Sequence, residues 1–506
     1  MMGRIFSRLL DPRGQRQILF KNSVWLAIAD GLTRLVKFIV TLYVIRILGS
    51  LEYGKFAFAF AFVSLFSTLF DFGLAPVMTR EFARREEEDR SFSPLLSFKL
   101  GFGMFVFVLI AASGHLVSSD GIIRRLMVVL ALALWMNEAS ATYYALFRSR
   151  QRMEYESWMG ILGGLVFGGA GFLLLSLFPS IVVLSYTYLV SAVAVLSGTV
   201  ILAVWKGYPF RLAFDRLIWQ RYLAMAAPLA LYGVVMGIYS FSDSVMLGAF
   251  GHLEETGWYN AALRIVGLAI IPMNFVGPVF LPALSSALAK TDEGLQRLFD
   301  LQLEIMIFAA FMITCVVFSL APTIMEVAFT SSFSAGAVAL QISIFVAFFQ
   351  YLWTPYNQVL IVFNQQRKVF LVHLVGAIAN LLLNAMLIPV LSLYGASLAS
   401  VVTQAIVFGL LFGAVSGSTP IAISLGGLSA ALVPAAVSAV AVGGTLLLIG
   451  GSGLAFLSLA VLAGPIGYTL CFFALRATLI RMGLLYGVLE PRKAWNSRGI
   501  VDVVKR

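Results

Sequence analysis

The chain reads as long apolar runs separated by short polar breaks. A helix that crosses the hydrocarbon core needs roughly 20 mostly apolar residues. Runs of that kind recur near 24–48, 56–74, 96–116, 126–146, 158–177 and 181–205. A second series follows near 222–250, 259–281, 303–320, 337–353, 370–390 and 393–412, and a final pair near 428–449 and 454–475. No long polar stretch interrupts them. The pattern predicts an all-α integral membrane protein of about fourteen transmembrane helices with no separate soluble domain.

Composition agrees with that reading. Hydrophobic residues make up 60% of the 506 positions and charged residues 12%, against roughly half and a quarter in a soluble domain. So little charge cannot cover a water-soluble body of this size, and the mean hydropathy of +0.94 points to lipid as the main solvent. The two cysteines, Cys315 and Cys471, sit far apart in apolar spans and read as buried small residues. They form neither a disulfide framework nor a metal motif.

Charge orients the spans. Arg and Lys concentrate in cytoplasmic loops of membrane proteins. Here one alternate set of loops holds Arg80, Arg84, Arg85 and Arg90; Arg148, Arg150 and Arg152; Lys206, Arg211, Arg216 and Arg221; Lys290 and Arg297; and Arg367 and Lys368. The opposite loops, at 178–180, 251–257, 319–334, 391–393 and 450–453, contain no Lys or Arg; Arg124 and Arg125 are the main exception. Both termini are therefore expected in the cytoplasm and the span number is expected to be even. The net charge of +11 then calls for anionic lipid beside inward loops rather than nucleic acid. The stretch 80–90 places Arg84–Glu88 and Arg85–Asp89 four residues apart, as in a solvated surface helix. The basic start, with Arg4, Arg8, Arg13, Arg16 and Lys21, lacks a cleavage site and reads as a tail, not a signal peptide. Ile5, Phe6, Leu9 and Leu10 suit a short interfacial helix.

An internal repeat is visible. Leu48-Gly49, then Glu52-Tyr53-Gly54 and an apolar run, correspond to Leu247-Gly248, then Gly257-Trp258-Tyr259-Asn260 and an apolar run. Phe147, Gln151-Arg152 and Tyr155 correspond to Phe363, Gln366-Arg367 and Phe370, with one residue fewer. Repeats separated by an even number of spans share one topology, so their axis runs along the membrane normal. The expected organisation is a tail at 1–21, a six-helix lobe at 22–205, a cytoplasmic linker at 206–221, a second six-helix lobe at 222–413, two added helices at 426–476 and a tail at 477–506.

No phosphate loop, HExxH, CxxC or GxSxG motif is present. Gly160, Gly164 and Gly168 form a GxxxG ladder without a preceding strand, which fits close helix packing rather than nucleotide binding. The functional signal is charge at membrane depth. Asp30, Arg34, Lys37 and Thr41 are spaced 4, 3 and 4 residues apart and share one face of the first span. Each such charge costs about 2.5–3.5 kcal/mol at a lipid-facing helix centre. The face therefore points to a water-accessible cavity that receives an anion, or to a structural ion-pair network. Arg264, with Tyr259 and Asn260 just before it, is the second anion-binding candidate. Asp243, in the outer half of the seventh span, is a candidate partner for Arg264. Asp71 reads as a cap or as a partner of Arg80, and Glu138 as an isolated, protonatable carboxyl near mid-depth and hence a candidate proton-coupling site. His373, Asn380 and Asn384 share a face suited to inter-helix hydrogen bonds or substrate contact. No metal and no cofactor are called for.

From Asn22 to Arg85 the chain resembles the polysaccharide-transporter branch of the multidrug/oligosaccharidyl-lipid/polysaccharide flippase superfamily. The residues that carry the resemblance are Asn22, Leu48-Gly49, Glu52-Tyr53-Gly54, Asp71-Phe72-Gly73-Leu74 and Thr79-Arg80-Glu81. In the second half they are Asp243 with Met246-Leu247-Gly248, then Gly257, Tyr259-Asn260, Ala262 and Arg264, then Ile388-Pro389 and Tyr394-Gly395-Ala396. The resemblance implies two rocking lobes of the multidrug-extrusion type, alternating access, and a substrate made of a polyprenyl tail, a pyrophosphate and a short glycan, as in O-antigen or exopolysaccharide assembly at the bacterial inner membrane. Enzymes of the same pathway, a glycan polymerase or glycosyltransferases, are the expected protein partners. The last pair of spans resembles lipid II flippases, which have fourteen. Three readings stay open beside the main one: a lipid II-type flippase, a drug/cation antiporter, whose cavity would be acidic or aromatic, and a membrane glycan polymerase or ligase, which needs a larger outer loop.

Overall fold

The computed structural model describes residues 15–84, 90–208, 211–289, 292–422, 425–449, 451 and 453–481; side chains are described for these except at 15–30, 32, 34, 35, 292, 425–431, 454, 455 and 479–481. The two terminal tails, the interfacial helix expected near Ile5–Leu10, and the pairs Arg84–Glu88 and Arg85–Asp89 lie outside the described residues.

The described residues hold fourteen α-helices and no strand. Lipid offers backbone groups no partners, so each segment must satisfy its own, which a helix does. In order these are α1 (Gln15–Leu65), α2 (Ser67–Asp71), α3 (Leu74–Arg84), α4 (Phe92–Val117), α5 (Gly121–Ser149), α6 (Met153–Leu177) and α7 (Ile181–Trp205). Then follow α8 (Arg216–Ala249), α9 (Leu253–Leu288), α10 (Asp292–Ala328), α11 (Ala337–Val362), α12 (Gln366–Ser418), α13 (Leu425–Ile449) and α14 (Leu454–Arg481). Side-chain caps start several of them. Asp120 accepts the Ile122 N–H at 2.7 Å, Ser180 the Val182 N–H at 3.2 Å, and Asp215 the Leu217 N–H at 2.9 Å.

Eleven described stretches are long and apolar enough to cross a membrane. The two longest helices each bend once. α1, 51 residues, turns at Gly49, where φ is 77°, a region open to glycine at no steric cost. α12, 53 residues, turns at Ser392, three residues after Pro389. At about 1.5 Å per residue each is far longer than one crossing requires. The exact number of crossings stays the expectation drawn from the sequence.

The chain divides into two compact units. The first comprises residues 1–267, 324–343 and 370–407; the second comprises 268–323, 344–369 and 408–506. Helices α9 to α12 run through both.

In the first unit, α6 lies against α1 through its glycines. A Cβ at Gly164 would meet Thr33, one at Gly168 would come within 2.8 Å of Val36, and one at Gly171 within 2.9 Å of Val40. Thr33 donates to the Gly160 carbonyl at 3.0 Å. The ladder is a packing seam, as its spacing predicts. A second core joins α3, α4, α5 and α8 through Val77, Phe82, Phe92, Leu146, Phe147 and Tyr222.

The run 56–74 reads as one span from sequence, but the chain breaks inside it. α1 stops at Leu65, α2 is a single turn, and Phe72 (φ 52°) and Gly73 (φ 67°) are both left-handed before α3 begins. The break is pressed on α8: a Cβ at Gly73 would come within 2.8 Å of the Ala230 nitrogen, and Gly233 faces Thr68. Irregular backbone of this kind is tolerated at membrane depth only against protein or a hydrated cavity.

The second unit is bound by polar ties between helices. Gln302 donates to Gln358 at 2.8 Å, Ser319 to the Gly443 carbonyl at 3.2 Å, and Arg476 forms a bidentate pair with Glu304.

Candidate functional site in the first unit

The basic face of the first span is only partly described. Asp30 and Arg34 lie on α1, and their side chains are outside the described residues. Lys37 is exposed on α1, four residues after Thr33, which meets α6 together with Val36 and Val40. Thr41 is buried, and its hydroxyl donates to the Lys37 carbonyl at 2.7 Å. It serves its own helix rather than an open face.

Arg264 is half-buried on α9. Its Nε–H donates to the Tyr53 hydroxyl on α1 at 3.4 Å. An aromatic chain continues from there, from Tyr53 to Phe56 at 6.5 Å, to Tyr188 at 5.8 Å and to Phe167 at 4.8 Å. Among the described residues, no carboxylate lies within 4.0 Å of the guanidinium.

Asp243 is not the partner of Arg264. Its Oδ2 accepts from the Tyr259 hydroxyl at 2.7 Å and from Ser400, and its Oδ1 accepts from Asn384 at 2.5 Å. Three donors saturate the carboxylate locally, which removes the need for a cation. Asn384 and Ser242 both donate to Asn380, at 3.1 and 2.7 Å. Asn260 is held by Ser244 and by the Thr256 carbonyl at 2.9 Å. Tyr259 is fully buried. Tyr259 and Asn260, read from sequence as substrate contacts, therefore spend their polar atoms on packing α8, α9 and α12 together. His373 is buried edge-on to Tyr232 and Tyr239, at 6.4 and 6.5 Å between ring centres. The face shared by Asn380 and Asn384 does form inter-helix hydrogen bonds.

The two repeat motifs meet each other. A Cβ on Gly54 would fall on the Leu253 carbonyl, and one on Gly257 would fall on the Ser50 carbonyl and within 3.1 Å of the Gly54 nitrogen. Beside this crossing Ser50 donates to Glu254 at 2.6 Å, and Ser392 donates to Glu255 at 2.6 Å. Arg46 donates to the Ala328 carbonyl at 2.9 Å and to Val327, closing the end of α10. A cation at a helix C-terminus is favoured by the helix dipole.

A third cluster surrounds the broken segment. Lys99, on α4 and 3% exposed, has its Nζ 2.8 Å from Asp71 and 4.0 Å from Glu138 on α5. Asp71 also accepts the Ala75 N–H at 3.2 Å, so it caps α3. Arg80 is not its partner; that side chain bonds Glu81 at 2.9 Å. Nor is Glu138 isolated, since Lys99 reaches it. Lys99 escapes a sequence reading focused on span centres because it lies seven residues into α4. A lysine within an apolar run is the signal that marks it. Ser400 carries no such mark, because a serine among small residues is ordinary in packed membrane helices.

The polysaccharide biosynthesis protein family model matches residues 19–288. The chain belongs to that family. A comparison with curated protein sequences gives no match. Among solved structures, the family member is similar to the lipid II flippase MurJ in an inward closed conformation, with a TM-score of 0.75 at 15% identity over 90% of this chain and 100% of that one. It is also similar to an inward-facing multidrug resistance MATE family transporter of the MOP superfamily, with a TM-score of 0.60 at 14% identity over 75% of this chain and 98% of that one. A MOP superfamily transporter from Pyrococcus furiosus gives 0.51 at 15% identity, covering 79% and 96%. This family member thus has the fold of MOP superfamily transporters, as the resemblance implies, and is a multi-pass membrane protein.

Proposed function

We propose that the chain is a flippase that carries a polyprenyl-pyrophosphate-linked oligosaccharide across the bacterial inner membrane by alternating access, with both termini in the cytoplasm. One observation carries the reading. Arg264 is half-buried in an apolar unit and has a phenol, but no described carboxylate within 4.0 Å, beside it. A guanidinium placed so is stable where it meets water or an anion, and its planar fork matches a pyrophosphate. Arg34 and Lys37 on α1 add basic groups for the same ligand, and Asp30 tempers them. The tail stays in lipid while the head group passes. A basic site of this kind disfavours organic cations. The family of polysaccharide biosynthesis proteins supports a glycan as cargo.

A lipid II-type precursor is the second reading. It is favoured by the likeness to the MurJ structure, which the chain covers over its whole length. Proteoliposomes loaded with either labelled polyprenyl-pyrophosphate oligosaccharide or labelled lipid II separate the two. Faster transfer of the first, lost in Arg264→Ala, supports the main reading. Transfer of lipid II alone replaces it, and transfer of neither rejects both.

A further inference from the structure

The cluster at the broken segment does not balance its charge. Two carboxylates, Asp71 and Glu138, share one ammonium, Lys99. Among the described residues no other cation lies within 4.0 Å of either carboxylate. Several other ionisable groups on the helices packed around α5 are engaged elsewhere; Lys37 of α1 and Arg150 at the end of α5 have interactions of their own, and Arg148, paired with Glu156, also acts on Asp71 from beyond 4.0 Å. Arg80 and Arg84 of α3 pair with Glu81, and Glu154 and Glu156 of α6 pair with Arg152 and Arg148. On α1, Glu52 pairs with Lys55, and Arg46 caps α10. On α4, His115 contacts Arg124; α7 offers only Tyr186 and Tyr188. On α5 itself, Tyr144 bonds Thr199.

An unbalanced charge in a low-dielectric interior is removed by taking up a proton. The geometry says where it goes. Asp71 has the short ammonium contact and also accepts the Ala75 N–H. Glu138 has only the 4.0 Å contact. Lys99 is sealed, whereas the Asp71 and Glu138 side chains are 21% and 23% exposed, so protons reach the carboxyls. Asp71 is the last residue of the one-turn helix α2, with a break at Phe66 on one side and at Phe72-Gly73 on the other.

We infer that Glu138 holds one exchangeable proton and that Lys99 changes partner when it leaves. With Glu138 protonated, Asp71 keeps Lys99 and locks α2 in place. When the Glu138 O–H bond breaks, the proton passes to water, and the new carboxylate competes with Asp71 for the ammonium and loosens α2. No other bond changes and no other reactant is needed. Lower pH locks the segment, and higher pH frees it. By linkage, any movement of α2 that withdraws Asp71 lowers the proton affinity of Glu138. The proton site stands on its own; only its role in coupling a proton gradient to transport rests on the flippase reading.

Infrared difference spectra of the purified full chain test this. Wild type minus Glu138→Gln near neutral pH is expected to show the C=O stretch of a protonated carboxyl, titrating as pH rises. Its absence overturns the proposal. Asp71→Asn is expected to abolish the same band, because Lys99 then turns wholly to Glu138; a band that persists there overturns the partner exchange. Matching thermal melts check that both variants fold, and Glu138→Asp, which keeps the carboxyl, is expected to retain the band. In proteoliposomes, wild-type transfer of lipid-linked oligosaccharide is expected to respond to a proton gradient and Glu138→Gln transfer not to. Gradient-independent wild-type transfer overturns the coupling role. A normal band with no transfer of any lipid-linked glycan sinks the flippase reading and leaves the proton site in place.

Discussion

Gly54 and Gly257 pack backbone against backbone, one from each copy of the internal repeat, and neither has room for a Cβ. The Ser50–Glu254 hydrogen bond of 2.6 Å lies beside them. A Val at either glycine must displace main chain, because the obstructing atoms are carbonyls and an amide nitrogen. Overpacking of this kind costs about 1–3 kcal/mol, and more where backbone must move. Gly257→Val is therefore expected to lower the thermal midpoint by several degrees and to part the crossing. A Ser50→Cys probe, in a chain with Cys315 and Cys471 replaced, checks the second effect. Its thiol labelling rate is expected to rise several-fold with Gly257→Val, and an unchanged rate refutes the parting of the crossing.

Arg264 gives a prediction with a built-in control. Its only described side-chain bond is to the Tyr53 hydroxyl at 3.4 Å. A long bond to a neutral group contributes little, so Tyr53→Phe is expected to leave transfer within about twofold of wild type. Arg264→Ala removes the charge and is expected to lower transfer at least about tenfold. Arg264→Lys keeps the charge but loses the fork, and falls between them. Equal transfer by Ala and Lys variants would mean that charge plays no part.

The apolar runs, the end of the first run at residue 48 beside the Gly49 turn, and the α1–α6 seam are legible in the sequence because each has a local cause: apolar length, a glycine after the run, and small residues at helical spacing. The break at 66–73 is not. Leu69-Phe70-Asp71-Phe72-Gly73-Leu74 is apolar enough to continue a helix, and left-handed Phe72 carries no composition signal. Pairings are the least legible. Opposite sign suggests Asp243 with Arg264 and Asp71 with Arg80, yet uncharged donors satisfy Asp243 and a lysine from another helix satisfies Asp71. Which donors arrive depends on helix rotation, which one chain's periodicity does not set. The repeat motifs are recognisable as a pair, but not as partners in contact.

Asp243 holds three helices through neutral donors. Asp243→Ala removes the acceptor of the buried Tyr259 hydroxyl and of Ser400, and one of the two acceptors of the Asn384 amide. A buried polar group left unsatisfied costs about 1–3 kcal/mol. The variant is expected to melt many degrees below wild type. Asp243→Asn keeps one acceptor oxygen and is expected to lose less. Because the Arg264 guanidinium is not bonded to Asp243, the Asn variant that still folds is expected to transfer substrate at a rate that tracks its folded fraction. Folded fraction from size-exclusion profiles and transfer in the same preparation decide this.

The last helix beyond the repeat is tied to α10 by charge. Arg476 on α14 pairs with Glu304 on α10, and the side chains are only about a third exposed, at 32% and 33%. Fully exposed pairs are worth about 0–1 kcal/mol. A bidentate pair shielded from water and bordering lipid is expected near the top of that range or above it. Loss of either partner alone leaves the other facing an apolar surround, so Arg476→Met and Glu304→Gln each lower the thermal midpoint. If the pair acts as a unit, the double variant costs less than the sum of the two, with a coupling of about 1 kcal/mol or more. The swapped chain, Arg476→Glu with Glu304→Arg, recovers part of the loss. Strict additivity in the double-mutant cycle, with no recovery on swapping, would mean that apolar packing alone holds α14 to α10.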